Sequence, residues 1–241
     1  GWRRDDEPLD KFFLDYPPTL FLGDGSLISG CQHTIFRSSV DTLPDNFFEQ
    51  WDWSGVDIET ESAYKFDNGQ IIHRANSIQQ RVMDECKKNG AILVFNDDGS
   101  GESADVVAVF EKEDILVVKL FHCKFSKGTS AGHRVGDLYE VCGQAVKSVK
   151  WKWDAKSLFR HLQSRKNHGL GVERRFFYGS NETLTRLMQK LDYTAPPCFE
   201  FWIVQPGLAS HNLPDTLSRL LMSCSSTIAD MTECQLRCIS S

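Results

Sequence analysis

The chain lacks a long apolar run and a paired-cysteine motif, and each absence excludes a class of protein. No stretch reaches the roughly 18 apolar residues that a membrane-spanning helix needs, and the start, Gly1 to Glu7, lacks the apolar segment of a signal peptide. The eight cysteines include no CxxC pair, which predicts reduced thiols rather than disulfides or a zinc site. We therefore expect a soluble, cytoplasmic protein that has no membrane partner.

Two nucleotide-binding signatures are also missing. The chain has no Walker-type lysine motif, and Gly99-Ser100-Gly101 lacks the third glycine and the following helix of a dinucleotide fingerprint. The chain is therefore not expected to act as a motor on its own. It also has no internal repeat, and 41% hydrophobic residues in a chain of 241 are enough to build a substantial core.

Positive charge is concentrated in one segment of an otherwise acidic chain. The net charge is −6, but residues 147–175 hold nine Lys and Arg against two acidic residues, so this segment is +7 and the rest is −13. Such asymmetry is typical of a phosphate-binding face, although a solvated helix face produces the same pattern. The residues predicted to bind nucleic acid are Lys127, Lys147, Lys150, Lys152, Arg160, Arg165, Lys166, Arg174 and Arg175.

The spacing of apolar residues predicts an α/β domain. Residues 1–76 are rich in loop signals and predict an elaboration packed on a core formed by residues 77–241. Within the elaboration we predict a strand over 19–22 and a turn over 23–25. The elements predicted for the core are a helix from Ser77 to Lys88, strands over 91–95, 105–110 and 115–125, a helix capped by Asp137, a strand over 199–204, a helix from Asp215 to Cys224 and a terminal apolar segment from Leu236 to Ile239.

The acidic, glycine-rich segment 97–105 and the pair His122 and Lys124 carry the predicted chemistry. Asp105 begins one predicted strand and the pair ends the next, so a hairpin can bring all three together. Because side chains alternate along a strand, His122 and Lys124 project together and Cys123 projects to the other side. Carboxylates at such a corner are ligands for Mg²⁺ or Mn²⁺, which polarise a phosphate and activate water. Lys124 would then stabilise the charge of the transition state.

These features resemble the PD-(D/E)xK nuclease superfamily, which has the restriction-endonuclease-like fold. Helix, strand, Asp at the start of the next strand, x-x-Lys at the end of the third strand and a glutamine on the following helix come in the order of that superfamily. The chain is also similar, over most of residues 17–241, to a nuclease-like module at the C-terminus of large bacterial helicases, some of them associated with defence against foreign DNA. The segments that carry this likeness are 97–105, 122–124, 137–148 and 204–207.

The resemblance implies a mixed central sheet flanked by helices and a metal-dependent deoxyribonuclease activity. It also implies a helicase partner, in the same longer chain or as a separate subunit. By the same resemblance Asp105 matches the metal-binding aspartate, Lys124 the catalytic lysine and Gln144 the glutamine on the helix. The departure is His122, which stands where the superfamily has Asp or Glu and which binds Mn²⁺ better than Mg²⁺.

Either the metal preference shifts or another carboxylate replaces the ligand lost at His122. The nearest candidates are Glu102 and Asp98, and the more distant ones are Glu59, Glu61, Gln80 and Glu85. We therefore predict DNA hydrolysis with Mg²⁺ or Mn²⁺. The predicted site residues are the metal ligands Asp105, Glu102, His122 and Asp98, together with Lys124 and Gln144. The alternatives are a catalytically degenerate module that binds DNA or docks a helicase, and a nuclease that cuts RNA.

Overall fold

The computed structural model describes residues 8–15, 18–22, 26–29, 32–34, 43–113, 115–128 and 135–241. The turn predicted over residues 23–25 and the thiol of Cys31 lie outside these residues. The α-helices of the described residues are α1 (Leu9–Asp15), α2 (Ile78–Lys88), α3 (Val135–Lys147), α4 (Lys150–Trp153), α5 (Ala155–Arg165), α6 (Val172–Arg175), α7 (Asn181–Lys190) and α8 (Asp215–Thr232). The strands are β1 (Thr19–Phe21), β2 (Leu27–Ser29), β3 (Gln32–Thr34), β4 (Phe48–Gln50), β5 (Tyr64–Asp67), β6 (Gln70–His73), β7 (Leu93–Asn96), β8 (Val106–Lys112), β9 (Ile115–Cys123), β10 (Phe176–Tyr178), β11 (Cys198–Val204) and β12 (Leu236–Ser240).

Seven of these strands form a mixed central sheet in the order β10-β7-β8-β9-β11-β12-β4. The pairs from β10 to β9 are antiparallel, whereas the pairs from β9 to β4 are parallel. Only two residues separate β8 from β9, whereas parallel neighbours need a crossover. Helices α3 to α7 supply it between β9 and β11, and α8 supplies it between β11 and β12. The predicted α/β class with a mixed sheet flanked by helices is confirmed.

Helices cover both faces of the sheet because its central strands are apolar on both faces. Along β9, Leu120 packs into a core that includes α3, α5 and α8, whereas the next residue, Phe121, packs into a second core that includes α2. The apolar stripe of α3 is buried in the first core. Its members are Leu138, Val141, Cys142, Ala145 and Val146, while Val149, the sixth predicted member, is buried just beyond the end of α3.

Most predicted elements exist, but two helix ends were placed wrongly. Ser77 caps α2 as predicted, since its hydroxyl accepts a hydrogen bond from the Gln80 amide at 3.2 Å. The prediction that Asp137 caps α3 was wrong, because α3 begins at Val135 and Asp137 lies in its first turn, where a negative charge favours the helix dipole. The predicted end of α8 at Cys224 was also wrong, because its buried face continues to Thr232.

The N-terminal segment also contributes to the central sheet. β4 forms the edge strand beside β12, with Cys238 opposite Phe48, while β1 to β3 form a separate three-stranded sheet. The boundary at residue 76 therefore divides the chain by sequence character, whereas the sheet takes strands from both sides of it.

The described residues also bear on two expectations drawn from absences. The seven described cysteines are all free, and five of them are buried, as reduced thiols predict. Among the helices of the described ranges, none combines the length and the apolar character needed to cross a membrane.

Candidate functional site

The candidate site lies where the loop between β7 and β8 meets the end of β9. The loop is closed by a hydrogen bond of 2.9 Å from the Asp97 amide to the Asp105 carbonyl. In the β8–β9 hairpin Val106 pairs with Phe121, and continuing this register by one residue sets Asp105 opposite His122. The predicted meeting of these two segments is therefore confirmed.

Two glycines allow the loop to turn sharply. Gly99 and Gly101 have φ values of +117° and +82°, a region that residues with a Cβ rarely adopt. The loop is also braced from inside, since the buried carboxylate of Asp97 accepts hydrogen bonds from the amide and hydroxyl of Ser103 at 2.7 and 2.8 Å. The loop from Asp97 to Asp105 is consequently held in a compact arc.

Three carboxylates converge at this arc. Asp98, Glu102 and Asp105 each bring one oxygen to within 4.8 Å of the oxygens of the other two. Asp105 is 2% exposed, and the other two are half-buried. Such a set of oxygen donors fits a hard divalent cation such as Mg²⁺ or Mn²⁺. Three of the four predicted metal ligands thus meet, and His122 is not a member of this cluster.

Asp105 is fixed by two hydrogen bonds from different elements. Its Oδ1 accepts from Nε2 of Gln79 on α2 at 2.9 Å, and its Oδ2 accepts from the amide of Cys123 at 2.8 Å. Burial, together with the charges of Glu102 and Asp98, raises the pKa of Asp105 well above its ordinary value. A cation bound to the cluster would offset this penalty.

Gln79 was missed by the sequence analysis, which named Gln80 and Glu85 on the same helix instead. Gln80 bonds to His73 and Asp84, and Glu85 pairs with Arg81 and Lys88, so both are used elsewhere. The sequence signal that could have identified Gln79 is the helical spacing of the apolar residues in α2. Gln79 is three and four residues before the buried Val82 and Met83, so a polar side chain falls on the apolar face of a helix, where it needs a buried partner.

Glu102 titrates near neutral pH. Its Oε2 accepts a hydrogen bond from the Gly99 amide at 2.8 Å, but burial and the nearby charges of Asp98 and Asp97 raise its pKa to about 6. A cation must displace this proton before it can bind, so acid should compete with metal.

We therefore expect Mn²⁺ to stabilise the protein more at pH 7.5 than at pH 5. The pKa of Glu102 is raised in the fold, so its contribution to stability is full below its ordinary pKa and is lost as the pH rises through about 6. Metal binding offsets that loss only where the carboxyl is ionised. Thermal melts with and without Mn²⁺ at both pH values would measure this. Glu102→Gln should flatten the pH dependence, and an equal Mn²⁺ effect at both pH values in the wild type would contradict the assignment.

Lys124 follows the last residue of β9 and is 7% exposed. Its Nζ lies 2.8 Å from Oε1 of Glu140 on α3 and 3.7 Å from Oε2 of Glu61. Burial alone would lower the pKa of Lys124, but the hydrogen bond to Glu140 and the charge of Glu61 raise it above its ordinary value. The ammonium group therefore stays charged, paired with Glu140 and close to Glu61.

Glu61 joins the site from far away in the sequence. It accepts a hydrogen bond from the Phe125 amide at 3.0 Å, and burial raises its pKa. Of the three distant glutamates proposed as substitutes for the ligand lost at His122, Glu61 reaches the site, Glu59 is exposed and Glu85 pairs elsewhere.

His122 faces α3 rather than the carboxylate cluster. Its Nε2 lies 3.0 Å from the Ser148 hydroxyl, and burial lowers the pKa of His122 to about 3, so the ring is neutral. The ring lines a cavity of about 30 Å³ together with Glu102 and Gln144. His122 and Gln144 are thus brought to the edge of the site.

Two lysines of the basic segment line the same cavity. Lys147 and Lys150 are exposed, and the Nζ of Lys150 lies 4.7 Å from the ring centroid of Trp151. Both lie beside Glu102, where a phosphate near the cluster would meet them. Exposed Arg160 stays a predicted phosphate contact, as does Lys127, whose side chain is 70% exposed.

Other basic residues of the segment have partners within the protein. The Nζ of Lys166 donates to Asn181 at 2.9 Å, and Arg174 donates to the Leu170 carbonyl at 3.3 Å. Lys152 lies 6.0 Å from the Phe199 ring, at the opposite end of β11 from Val204, the residue that pairs with Cys123. The basic segment is therefore not one continuous face.

Arg165 and Arg175 correct the prediction more strongly, because both serve the acidic loop itself. Arg165 donates to the carboxylate of Asp97 and to backbone carbonyls of residues 97–100. Arg175 is 3% exposed and donates to the carbonyls of Asn96 and Asp98, both at 3.0 Å. Both guanidinium groups are therefore used inside the protein as donors to the carbonyls of this tight turn.

Comparison of the chain with protein-family models, with curated proteins and with solved structures finds no match in any of the three. The chemistry of the site is accordingly argued from its geometry. Its two main features are a partly buried carboxylate cluster and a charged lysine on the strand end next to it.

Proposed function

We propose that this protein is a divalent-metal-dependent nuclease with a restriction-endonuclease-like fold, and that it hydrolyses DNA phosphodiester bonds. The observation that carries the proposal is the cluster of the Asp98, Glu102 and Asp105 carboxylates at the end of β9, the strand that Lys124 directly follows. The amide of Cys123, the residue just before Lys124, binds Asp105 directly, so the cluster and the lysine are neighbours.

The chemistry divides between the cation and the side chains. A Mg²⁺ or Mn²⁺ ion held by the three carboxylates would polarise the phosphate and lower the pKa of a water molecule. The oxygen of a water molecule bonds to phosphorus while the bond from phosphorus to one sugar oxygen breaks. That sugar oxygen takes up a proton that the water releases. Lys124 stabilises the negative charge that grows on the phosphate oxygens, and Glu140 and Glu61 keep its ammonium group charged and in place.

The choice of substrate rests on two supports. Lys147 and Lys150 stand exposed beside Glu102, so a phosphate backbone could follow them into the site, and binding should weaken steeply with salt. The preference for DNA over RNA and the partnership with a helicase rest on the resemblance of segments 97–105 and 122–124 to helicase-linked nuclease modules.

Cleavage assays test the proposal directly. Supercoiled, linear and single-stranded DNA, with RNA of matching sequence, would be incubated in Mg²⁺, Mn²⁺ or EDTA. We expect DNA cleavage only with metal. Asp98→Asn should reduce it at least about 10- to 100-fold, since loss of even an outer partner of a metal site has that effect.

Asp98 is the best ligand to replace because its carboxylate has no hydrogen-bond partner among the described residues. In Asp105→Asn, by contrast, the new amide group would turn a donor toward either Gln79 or the Cys123 amide and disturb the fold. Cleavage that persists in EDTA, or that Asp98→Asn leaves unchanged, would refute the metal site. DNA that stays intact under every condition while binding remains salt-sensitive would favour the degenerate module.

A further inference from the structure

A separate β-hairpin, formed by β5 and β6, lies beside the candidate site. Among the described strands these two pair only with each other. Asn68 and Gly69 join them, with φ values of +48° and +77°, which fit the tight two-residue turn that matches the twist of a hairpin. An isolated hairpin is only marginally stable, so this one depends on how its root is held.

The root of the hairpin is tied to the carboxylate cluster through one buried side chain. The Arg74 amide donates to the Ala63 carbonyl at 2.7 Å, which closes the root, and the Ala63 amide donates to Oε1 of Gln79 at 3.1 Å. Nε2 of the same Gln79 side chain donates to Asp105 at 2.9 Å. One amide group therefore holds both the hairpin and a proposed metal ligand.

A second contact brings the root of the hairpin to the acidic loop. Burial raises the pKa of Tyr64, and the nearby positive charge of Arg174 lowers it. The next residue, Arg175, donates to the Asp98 carbonyl at 3.0 Å. The hairpin packs on the core that includes α2, whereas Lys147 comes from α3 on the other face of the sheet. Nucleic acid that crosses the cluster would thus have lysines on one side and the hairpin on the other.

The hairpin carries an exposed aromatic ring. Side chains alternate along a strand, so Phe66 lies on the same face as Tyr64. Tyr64 packs against the second core at the root, but Phe66 is 59% exposed. Packing within the described residues does not explain why a phenyl ring stands at this position, about 7 Å beyond Tyr64 along the strand.

We propose that Phe66 stacks on an unpaired base of the nucleic acid, so that the nuclease acts on single strands or frayed ends rather than on intact duplex. The inference rests on the proposed function and deepens it by naming the class of substrate. Every unpaired base has a π-face that an aromatic side chain can stack on. A base within an intact duplex is already stacked on its neighbours and offers no such face.

The charges of the protein favour the same class of substrate. Duplex DNA carries one phosphate charge per roughly 1.7 Å and is bound largely through cations. The chain has a net charge of −6, and Arg165 and Arg175 are used inside the protein. On the hairpin itself the charges of exposed Lys65 and Asp67 cancel. Stacking is therefore the contribution that the hairpin can make.

Binding of the full chain to a labelled single strand and to the matching duplex, measured by fluorescence anisotropy in EDTA, tests the inference. Phe66→Ala should weaken binding of the single strand at least about fivefold, the lower end of the loss for one stacked base, and binding of the duplex less than about twofold. Ile72→Ala is the matched control, since Ile72 is 45% exposed on the opposite face of the same hairpin, and it should change neither.

A single abasic position, moved along the strand, identifies the base that stacks. In the wild type one position should weaken binding about as much as Phe66→Ala does. In Phe66→Ala the same position should have no further effect, because both changes remove one shared contact. Losses that add at every position would overturn the stacking contact.

Two further outcomes would overturn the inference. Equal losses for single strand and duplex in Phe66→Ala would show that the ring does not read unpaired bases. A loss no larger than in Ile72→Ala would leave the hairpin to a protein partner.

The binding assays also separate this inference from the proposed function, because they need no cleavage. Binding of single strands that depends on Phe66, in a protein that cuts nothing with metal, would refute the proposed function alone. Metal-dependent cleavage that is equally fast on duplex and single strand, and that Phe66→Ala leaves unchanged, would refute the inference alone.

Discussion

Lys124→Ala should lower the rate of DNA cleavage by at least about 100-fold while DNA binding falls only slightly. Removing one preorganised group that stabilises transition-state charge typically costs a factor of 10² to 10³. Lys124 is 7% exposed, so it can contact only a phosphate that has entered the site and contributes little to general affinity for the backbone. Initial cleavage rates at saturating metal, with binding measured separately in EDTA, would separate the two effects.

Lys127 offers the matched control for this prediction. It lies three residues further along the chain, and its side chain is 70% exposed. Lys127→Ala should therefore lower the cleavage rate less than Lys124→Ala does, and its main effect should be on the salt dependence of DNA binding. Equal losses at both positions would indicate that Lys124 acts only through general electrostatics. Full activity in Lys124→Ala would remove it from the mechanism.

The loss of Lys124 also leaves carboxylates without their counter-charge. Glu61 and Glu140 both face its ammonium group, so the alanine variant could lose activity through their repulsion rather than through lost transition-state stabilisation. Adding Glu140→Gln to Lys124→Ala relieves that repulsion. If Lys124 acts on the phosphate, the double variant should remain inactive, and recovery of cleavage in it would assign Lys124 a purely structural role.

Features set by neighbouring residues could be predicted from the sequence. The cap at Ser77 and the stripe of α3 depend on spacings within one helix, and both are present. The meeting of Asp105 with the end of β9 was predictable for a related reason, since a hairpin fixes the register of its two strands. Local sequence patterns therefore located all three members of the carboxylate cluster.

Contacts between distant segments could not be read from the same patterns. Glu61 reaches Lys124 from a loop outside the predicted core, and a glutamate there looks like any solvated residue. The prediction that the whole basic segment binds phosphate had the same weakness. Charge alone does not distinguish a lysine that faces solvent from an arginine that faces backbone carbonyls. Arg165 and Arg175 donate hydrogen bonds to backbone carbonyls of the sharp turn that Gly99 and Gly101 allow.

Arg165→Met should reduce both the stability of the protein and its affinity for metal. The guanidinium group of Arg165, with a side chain only 12% exposed, pairs with the fully buried carboxylate of Asp97 and donates to the Asp97 and Ser100 carbonyls at 2.6 Å. Removing one partner of a buried ion pair costs about 3 to 5 kcal/mol. We expect the lower end of this range, because Nε2 of His161 also lies 3.2 Å from Asp97.

The effect on metal follows from the position of the lost contacts. They hold the loop that carries Asp98 and Glu102, so a looser loop places these ligands less accurately, and the Mn²⁺ dissociation constant should rise at least about tenfold. Urea denaturation would measure the free energy of unfolding, and Mn²⁺ titration of the folded variant would measure the affinity.

Arg160→Met is the matched control, because Arg160 lies on the same helix, α5, but is exposed. It should leave the free energy of unfolding within about 0.5 kcal/mol of the wild type and the Mn²⁺ affinity unchanged. If it contacts a phosphate, it should lower the salt slope of DNA binding by about one. The opposite outcome, in which Arg165→Met lowers only the salt slope, would make Arg165 a phosphate contact. The acidic loop would then keep its shape through its remaining bonds, among them those from Arg175 and Ser103.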